Sequence, residues 1–118
     1  LLQVLDNLVR NSVYWLRRGH MTKEVTRPKA IHIEVTSTGF TVADSGCGVD
    51  PRFEDSLFEM FVTAKPDRDE GQGLGLFIAT QLVEMDGGEL TLDAERNPEG
   101  RRYRFSVDLR SSLVKAGS

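Results

Sequence analysis

An α+β two-layer sandwich is predicted, with helices packed on one face of a mixed, mainly antiparallel sheet. Three observations carry this. Two segments repeat apolar residues at helical spacing, and two pairs of short runs alternate apolar and polar residues. Each pair is joined by turn chemistry, Ser37-Thr38-Gly39 in one and Asn97-Pro98-Glu99-Gly100 in the other. The order is helix, two strands, a short helical patch, loop, helix, two strands. Paired strands call for antiparallel neighbours, and the helices must then share one face.

The first helix is expected over residues 1–19, from Leu1, Val4, Leu5, Leu8, Val9, Val13 and Leu16. Gly19 is read as its C-cap, after Arg17 and Arg18, which suit the negative end of a helix dipole. Residues 20–30 are polar, contain Pro28 and read as loop. Residues 31–36 alternate, with Ile31, Ile33 and Val35 on one face, and residues 40–43 form the second run. The stretch from Asp44 to Pro51 is turn chemistry throughout. Residues 53–61 read as a helical turn or two, and 63–72 as a mobile polar loop. The second helix is expected over 74–86, stopped by Gly87-Gly88. Residues 89–94 and 102–109 form the second hairpin.

The 118 residues suffice for one domain. It is placed at 1–110, and 111–118 reads as a flexible tail. A net charge of -3 argues against nucleic acid as the partner of this domain. No apolar run approaches the roughly 20 residues of a membrane span. The single Cys47 and two histidines cannot build a zinc site or an internal disulfide. The chain opens at Leu1, already inside a helical pattern, and is read as a piece of a longer protein.

Three constellations carry chemistry. Gln3, Asn7 and Asn11 stack along one helix face at i, i+4 and i+8. Asn is a poor helix former, so the stripe asks for a reason, either a solvated face or carboxamide oxygens offered to a hard cation. Asp44-Ser45-Gly46-Cys47-Gly48 follows a strand. It is either a tight turn with an Asx cap, or a close backbone approach with Asp44 accepting from an exocyclic amine such as that of adenine. Gly71-Gln72-Gly73-Leu74-Gly75-Leu76 opens a helix. Backbone N–H groups and the helix dipole there favour phosphate. It is neither a Walker loop, lacking the terminal Gly-Lys-Ser/Thr, nor a Rossmann loop, lacking the strand before it.

In this order the boxes resemble the ATP-binding domain of sensor histidine kinases, within the superfamily of DNA gyrase, heat-shock chaperone and mismatch-repair ATPases. The N box matches Asn7 to Asn11, and the first glycine box Asp44 to Gly48. The F box matches Leu57 to Phe61, and the second glycine box Gly71 to Leu76. Phe61-Val62-Thr63-Ala64-Lys65 resembles the start of a short lid, and the resemblance covers roughly 1–109.

The resemblance implies Mg²⁺ and ATP as cofactors. Asn11 would coordinate the metal, with Asn7 supporting it. Asp44 would bind the adenine amino group, in a pocket shaped by Gly46 and Gly48. Gly71, Gly73 and Gly75, with Leu74 and Leu76 between them, would line the phosphates. Residues 62–73 would form the lid, with Thr63 at its start and Lys65 a phosphate contact. Trp15 sits where an aromatic stacks near the adenine. The catalytic set is then Asn7, Asn11 and Lys65.

Two departures shape the expected function. Tyr14 stands where many of these kinases have a Lys. Asn11-Ser12 also occurs in the gyrase-like branch, but that branch has a Glu four residues before the metal-binding Asn. Here the position is Asn7, which cannot act as a general base. Asp6 lies about 100° around the helix and should point elsewhere.

The resemblance therefore implies phosphoryl transfer to a histidine on a separate dimerisation domain of the same protein, with a response regulator downstream. The implied full-length protein is a homodimer, with this domain cytoplasmic and a membrane anchor possible elsewhere. Neither His20 nor His32 resembles the phosphoacceptor. The alternative is an ATP-gated conformational switch or slow ATPase of the same superfamily.

Overall fold

The computed structural model describes residues 2–21, 26–58 and 75–109, with backbone alone for 18–21. Helix α1 spans Leu2–Met21 and helix α2 spans Gly75–Met85. Strands β1 (Ile31–Val35), β2 (Gly39–Asp44), β3 (Glu89–Leu92) and β4 (Arg104–Asp108) form one sheet in the order β1-β2-β4-β3. All three pairings are antiparallel. The predicted sandwich is what forms: α1 and α2 pack on each other, α1 over β2 and α2 over β3.

The register explains the core. Ile33 pairs with Val42, Val42 with Phe105, and Phe105 with Leu92, giving one apolar row across the sheet. Val35, Phe40, Val107 and Leu90 make the next row. Residues directly opposite in an antiparallel pair point to the same side, so both rows face the helices. Val4 and Leu8 of α1 and Ala79 and Val83 of α2 close over them. Full burial of one such Leu or Val contributes roughly 1.5–3 kcal/mol.

The rows are not covered evenly. Val42 is fully buried, but Ile33 is 50% and Val35 82% exposed. The alternation in residues 31–36 put these side chains on one face, and the register makes it the helix face. The alternation did not show that β1 is an edge strand, whose Ile31 reaches the core while Ile33 and Val35 do not.

Local chemistry sets the element ends. Gly19, expected to cap α1, does not: the helix runs on to Met21. Gly87 does end α2: at φ 80° it donates its N–H to the Glu84 carbonyl while Gly88 donates to Val83, a Schellman motif. In the predicted helical patch, Asp50 caps a 3₁₀ turn at Pro51–Phe53 by accepting from the Arg52 N–H at 2.9 Å. Turns continue to 58, where Phe58 meets Phe105 edge-on at 6.0 Å. The remainder of the patch, the 63–72 loop and the 111–118 tail lie outside the described residues.

Candidate functional site

The polar stripe on α1 runs from solvent into the protein. Gln3 is exposed, Asn7 half-buried, and Asn11 only 9% exposed, with fully buried Ser12 beside it. Asp6 turns away, as its helical angle requires, and pairs with Arg10 at 2.8 Å on the surface. The buried end of the stripe lies where β2 ends in Asp44. The two parts touch: a Cβ on Gly46 would lie 3.5 Å from the Trp15 carbonyl oxygen.

Asp44 is the electrostatic centre of this region. Its Oδ1 accepts from the Gly46 N–H at 2.8 Å. Burial pushes its carboxyl above the usual carboxylate range, against the Gly46 amide, Ser12 and the Arg27 charge, which pull it down. Among the described residues the Ser12 hydroxyl has no partner at ordinary hydrogen-bond geometry, yet it stands close enough to favour the ionised carboxylate. The site at position 44 thus combines a half-buried acceptor with a buried hydroxyl that can donate or accept.

The two glycines of the first box differ. A Cβ on Gly46 would collide with Asp44 Oδ1 at 2.8 Å. Gly48 has φ 85°, and a Cβ there would meet Arg101 Cβ at 2.7 Å and Asn97 Nδ2 at 2.9 Å. Gly48 therefore answers to the β3–β4 connection packed against it. Asn97 Nδ2 donates to the Cys47 carbonyl at 3.1 Å, and Val49 N–H to the Arg102 carbonyl at 2.8 Å.

Gly75 is the first residue of α2, and no acidic side chain occupies the first turn. Its φ lies outside the left-handed region, and a Cβ added there would meet no described residue within 4 Å. Among the described residues, the space at this helix N-terminus is open. Leu76 packs partly buried against the core, and its carbonyl accepts from Thr80 Oγ1 at 2.9 Å.

Trp15 is half-buried and meets Tyr14 edge-on, with ring centroids 5.1 Å apart. Tyr14 is itself buried, so the position expected to carry a lysine carries a packed ring. His32 is exposed on the edge strand. Thr63, Lys65, Gly71, Gly73 and Leu74, with the rest of the lid and Phe61, lie outside the described residues.

Among the described residues, no group of three His, Cys, Asp or Glu side chains could hold a metal. The donor set near Asn11 is carboxamide and hydroxyl. That set fits a hard cation drawing its other ligands from phosphate and water, and does not fit a protein-caged metal.

Sequence reasoning missed Arg27, Asn97 and Glu99, and gave Ser12 no role of its own. Arg27 sits in a stretch that reads as loop and reaches Glu99, far along the chain. No local pattern announces such a contact. For Ser12 a signal existed: it falls one residue after Asn11, on the side of the helix that sinks into the protein.

Residues 1–111 match the model of the family described as histidine kinase-, DNA gyrase B-, and HSP90-like ATPase. The virulence sensor protein BvgS of Bordetella bronchiseptica is 37% identical over 96% of this chain. The sensory/regulatory protein RpfC of Xanthomonas campestris pv. campestris is 38% identical over 98%. The chain spans only 9% and 17% of those two proteins. The solved mycobacterial sensor histidine kinase MprB superposes with TM-score 0.66 at 21% identity, over 89% of this chain and 66% of that one, which shows a shared fold. The chain belongs to the histidine kinase-, DNA gyrase B- and HSP90-like ATPase family.

Proposed function

We propose that this domain, over residues 1–110, binds Mg-ATP and donates the γ-phosphate to a histidine on a separate dimerisation domain of the same protein. The observation that carries the reading is Asp44: a half-buried, desolvated carboxylate at a strand end, beside the buried end of the asparagine stripe. One oxygen is engaged by the Gly46 amide, and the carboxylate keeps acceptor capacity for an exocyclic amine.

The roles follow from the chemistry. Asp44 selects adenine, with Gly46 and Gly48 shaping the pocket and Trp15 flanking it. The N-terminus of α2 at Gly75 and Leu76 receives phosphate, since its N–H groups and dipole favour negative charge. Gly71, Gly73 and Leu74 continue that cradle, and Thr63 and Lys65 act from the lid. Asn11 holds Mg²⁺, supported by Asn7. When bound, the cation neutralises charge on the phosphates. Phosphoryl transfer asks the protein mainly for positioning and electrostatic stabilisation, so no general base is required at position 7. The phosphoryl group then passes to a response regulator, and the complete protein works as a homodimer with this domain on the cytoplasmic side.

The test is to incubate the complete protein with γ-labelled Mg-ATP and measure the chemical stability of any protein-bound label. Acid-labile, base-stable label is expected, the signature of phosphohistidine. Nucleotide retention or free phosphate without protein label would overturn phosphoryl transfer. That outcome would favour an ATP-gated switch or slow ATPase, for which the buried Tyr14 in place of a charged side chain speaks.

A further inference from the structure

Arg27 holds three groups at once. Its Nε donates to the Ser45 carbonyl at 2.8 Å and its Nη2 to the Gly46 carbonyl at 2.9 Å. The same guanidinium meets Glu99 in a two-point ion pair, with Nη1 3.1 Å from Oε2. Asn97, two residues before Glu99, donates to the next carbonyl, that of Cys47. Three consecutive carbonyls of the loop after Asp44 are thus tied by side chains from two other segments. Glu99 is fixed in turn, its N–H donating to Asn97 Oδ1 at 3.0 Å.

The geometry points to Arg27 and Glu99 as a positioning latch for the adenine-reading loop. We propose that Arg27, oriented by Glu99, sets the direction of the Gly46 peptide and through it the aim of the Asp44 carboxylate. The argument is one of connectivity. The Gly46 peptide unit carries the N–H that holds Asp44 Oδ1, and Arg27 grips the carbonyls on both sides of that residue. A planar guanidinium can serve two carbonyls and a carboxylate together; an ammonium cannot do so in one geometry. The latch rests on the nucleotide reading of Asp44 given above and deepens it: Arg27 touches no ligand and acts on base selectivity.

The experiment measures binding of Mg-ATP and Mg-GTP to the complete protein by calorimetry, with a melting curve for every variant. Arg27→Ala is expected to weaken ATP binding by about tenfold, the scale of a lost charged hydrogen bond, and to narrow the ATP-over-GTP preference. Arg27→Lys keeps the charge opposite Glu99 and is expected to preserve melting without restoring the preference. The swap Arg27→Glu with Glu99→Arg rebuilds an ion pair but leaves position 27 without a donor, and is expected to stay weak.

Full recovery by the swap would mean that the ion pair alone matters and would overturn the latch, as would unchanged ATP affinity in Arg27→Ala. Asp44→Asn separates the two readings. If that variant still binds ATP normally, the site assignment fails and the latch with it. If it loses ATP while Arg27→Ala does not, only the latch fails.

Discussion

The Gly46 N–H donates to Asp44 Oδ1 at 2.8 Å, so the loop after β2 is folded around this carboxylate. An Asx turn of this kind is what a purely structural Asp would make. Burial separates the two roles. A structural Asx turn works well on the surface, whereas this carboxyl is raised above its usual range by desolvation. The fold bears the desolvation of this carboxyl, as the proposed adenine-selecting role would require.

Asp44→Asn should therefore trade function for stability. A carboxyl whose folded pKa is raised opposes folding once it ionises, so its penalty is absent below the unfolded pKa and grows as pH rises through the folded value. At neutral pH the neutral amide removes that penalty. Its oxygen can still accept from Gly46, and its NH₂ can donate to the Ser12 hydroxyl. The expected result is equal or higher Tm together with loss of adenine-selective ATP binding. Unchanged ATP affinity would remove Asp44 from the site.

Asp50 should act in the opposite sense. The Arg52 side chain, then the Arg52 backbone N–H, lower its carboxyl to about 2. Its stabilisation is present above the unfolded carboxylate pKa and is lost as pH falls through about 2. Asp50→Asn should flatten the acid limb of a pH–stability curve between about pH 4 and 2. An identical limb in the variant would show that the cap is not linked to folding.

Asn11→Asp should change the metal response. A carboxylate at a site only 9% exposed is disfavoured without a compensating cation. ATP binding by the variant is expected to shift in its Mg²⁺ dependence, read as the Mg²⁺ concentration for half-maximal binding. A superimposable titration would take Asn11 out of the metal site.

Local patterns showed most of the fold and less of the site. Helix and strand periodicity located both helices and all four strands, because burial on one face writes itself into 3.6 and 2 residue repeats. They could not say how far α1 runs past Gly19, where no side-chain pattern competes with continued hydrogen bonding. Nor could they show that Ile33 and Val35 lie at an uncovered edge, which depends on where the helices dock. Asp44, Gly46 and Asn11 were legible because each belongs to a short motif. Arg27, Asn97 and Glu99 were not, because their partners are carbonyls of a loop distant in sequence. The φ of 85° at Gly48 traces to the same contact, with the β3–β4 connection.

Gly48 and Gly75 should respond oppositely to the same substitution. Gly48→Ala places a Cβ 2.7 Å from Arg101 Cβ in a left-handed residue. That should destabilise the fold by about 2 kcal/mol or more. Gly75→Ala meets no atom of the described residues and replaces a helix glycine, a change worth roughly 0.5–1 kcal/mol in favour of the helix at interior positions. Melting should be unchanged or slightly raised there. If the open space at Gly75 is where phosphate approaches the α2 N–H groups, the added methyl obstructs it, and ATP affinity falls although the fold is intact. Loss of stability marks a glycine kept for packing; loss of binding alone marks one kept for a ligand. Calorimetric ATP titration beside a melting curve for both variants makes the distinction. Normal ATP binding by Gly75→Ala would leave the α2 N-terminus without a phosphate role.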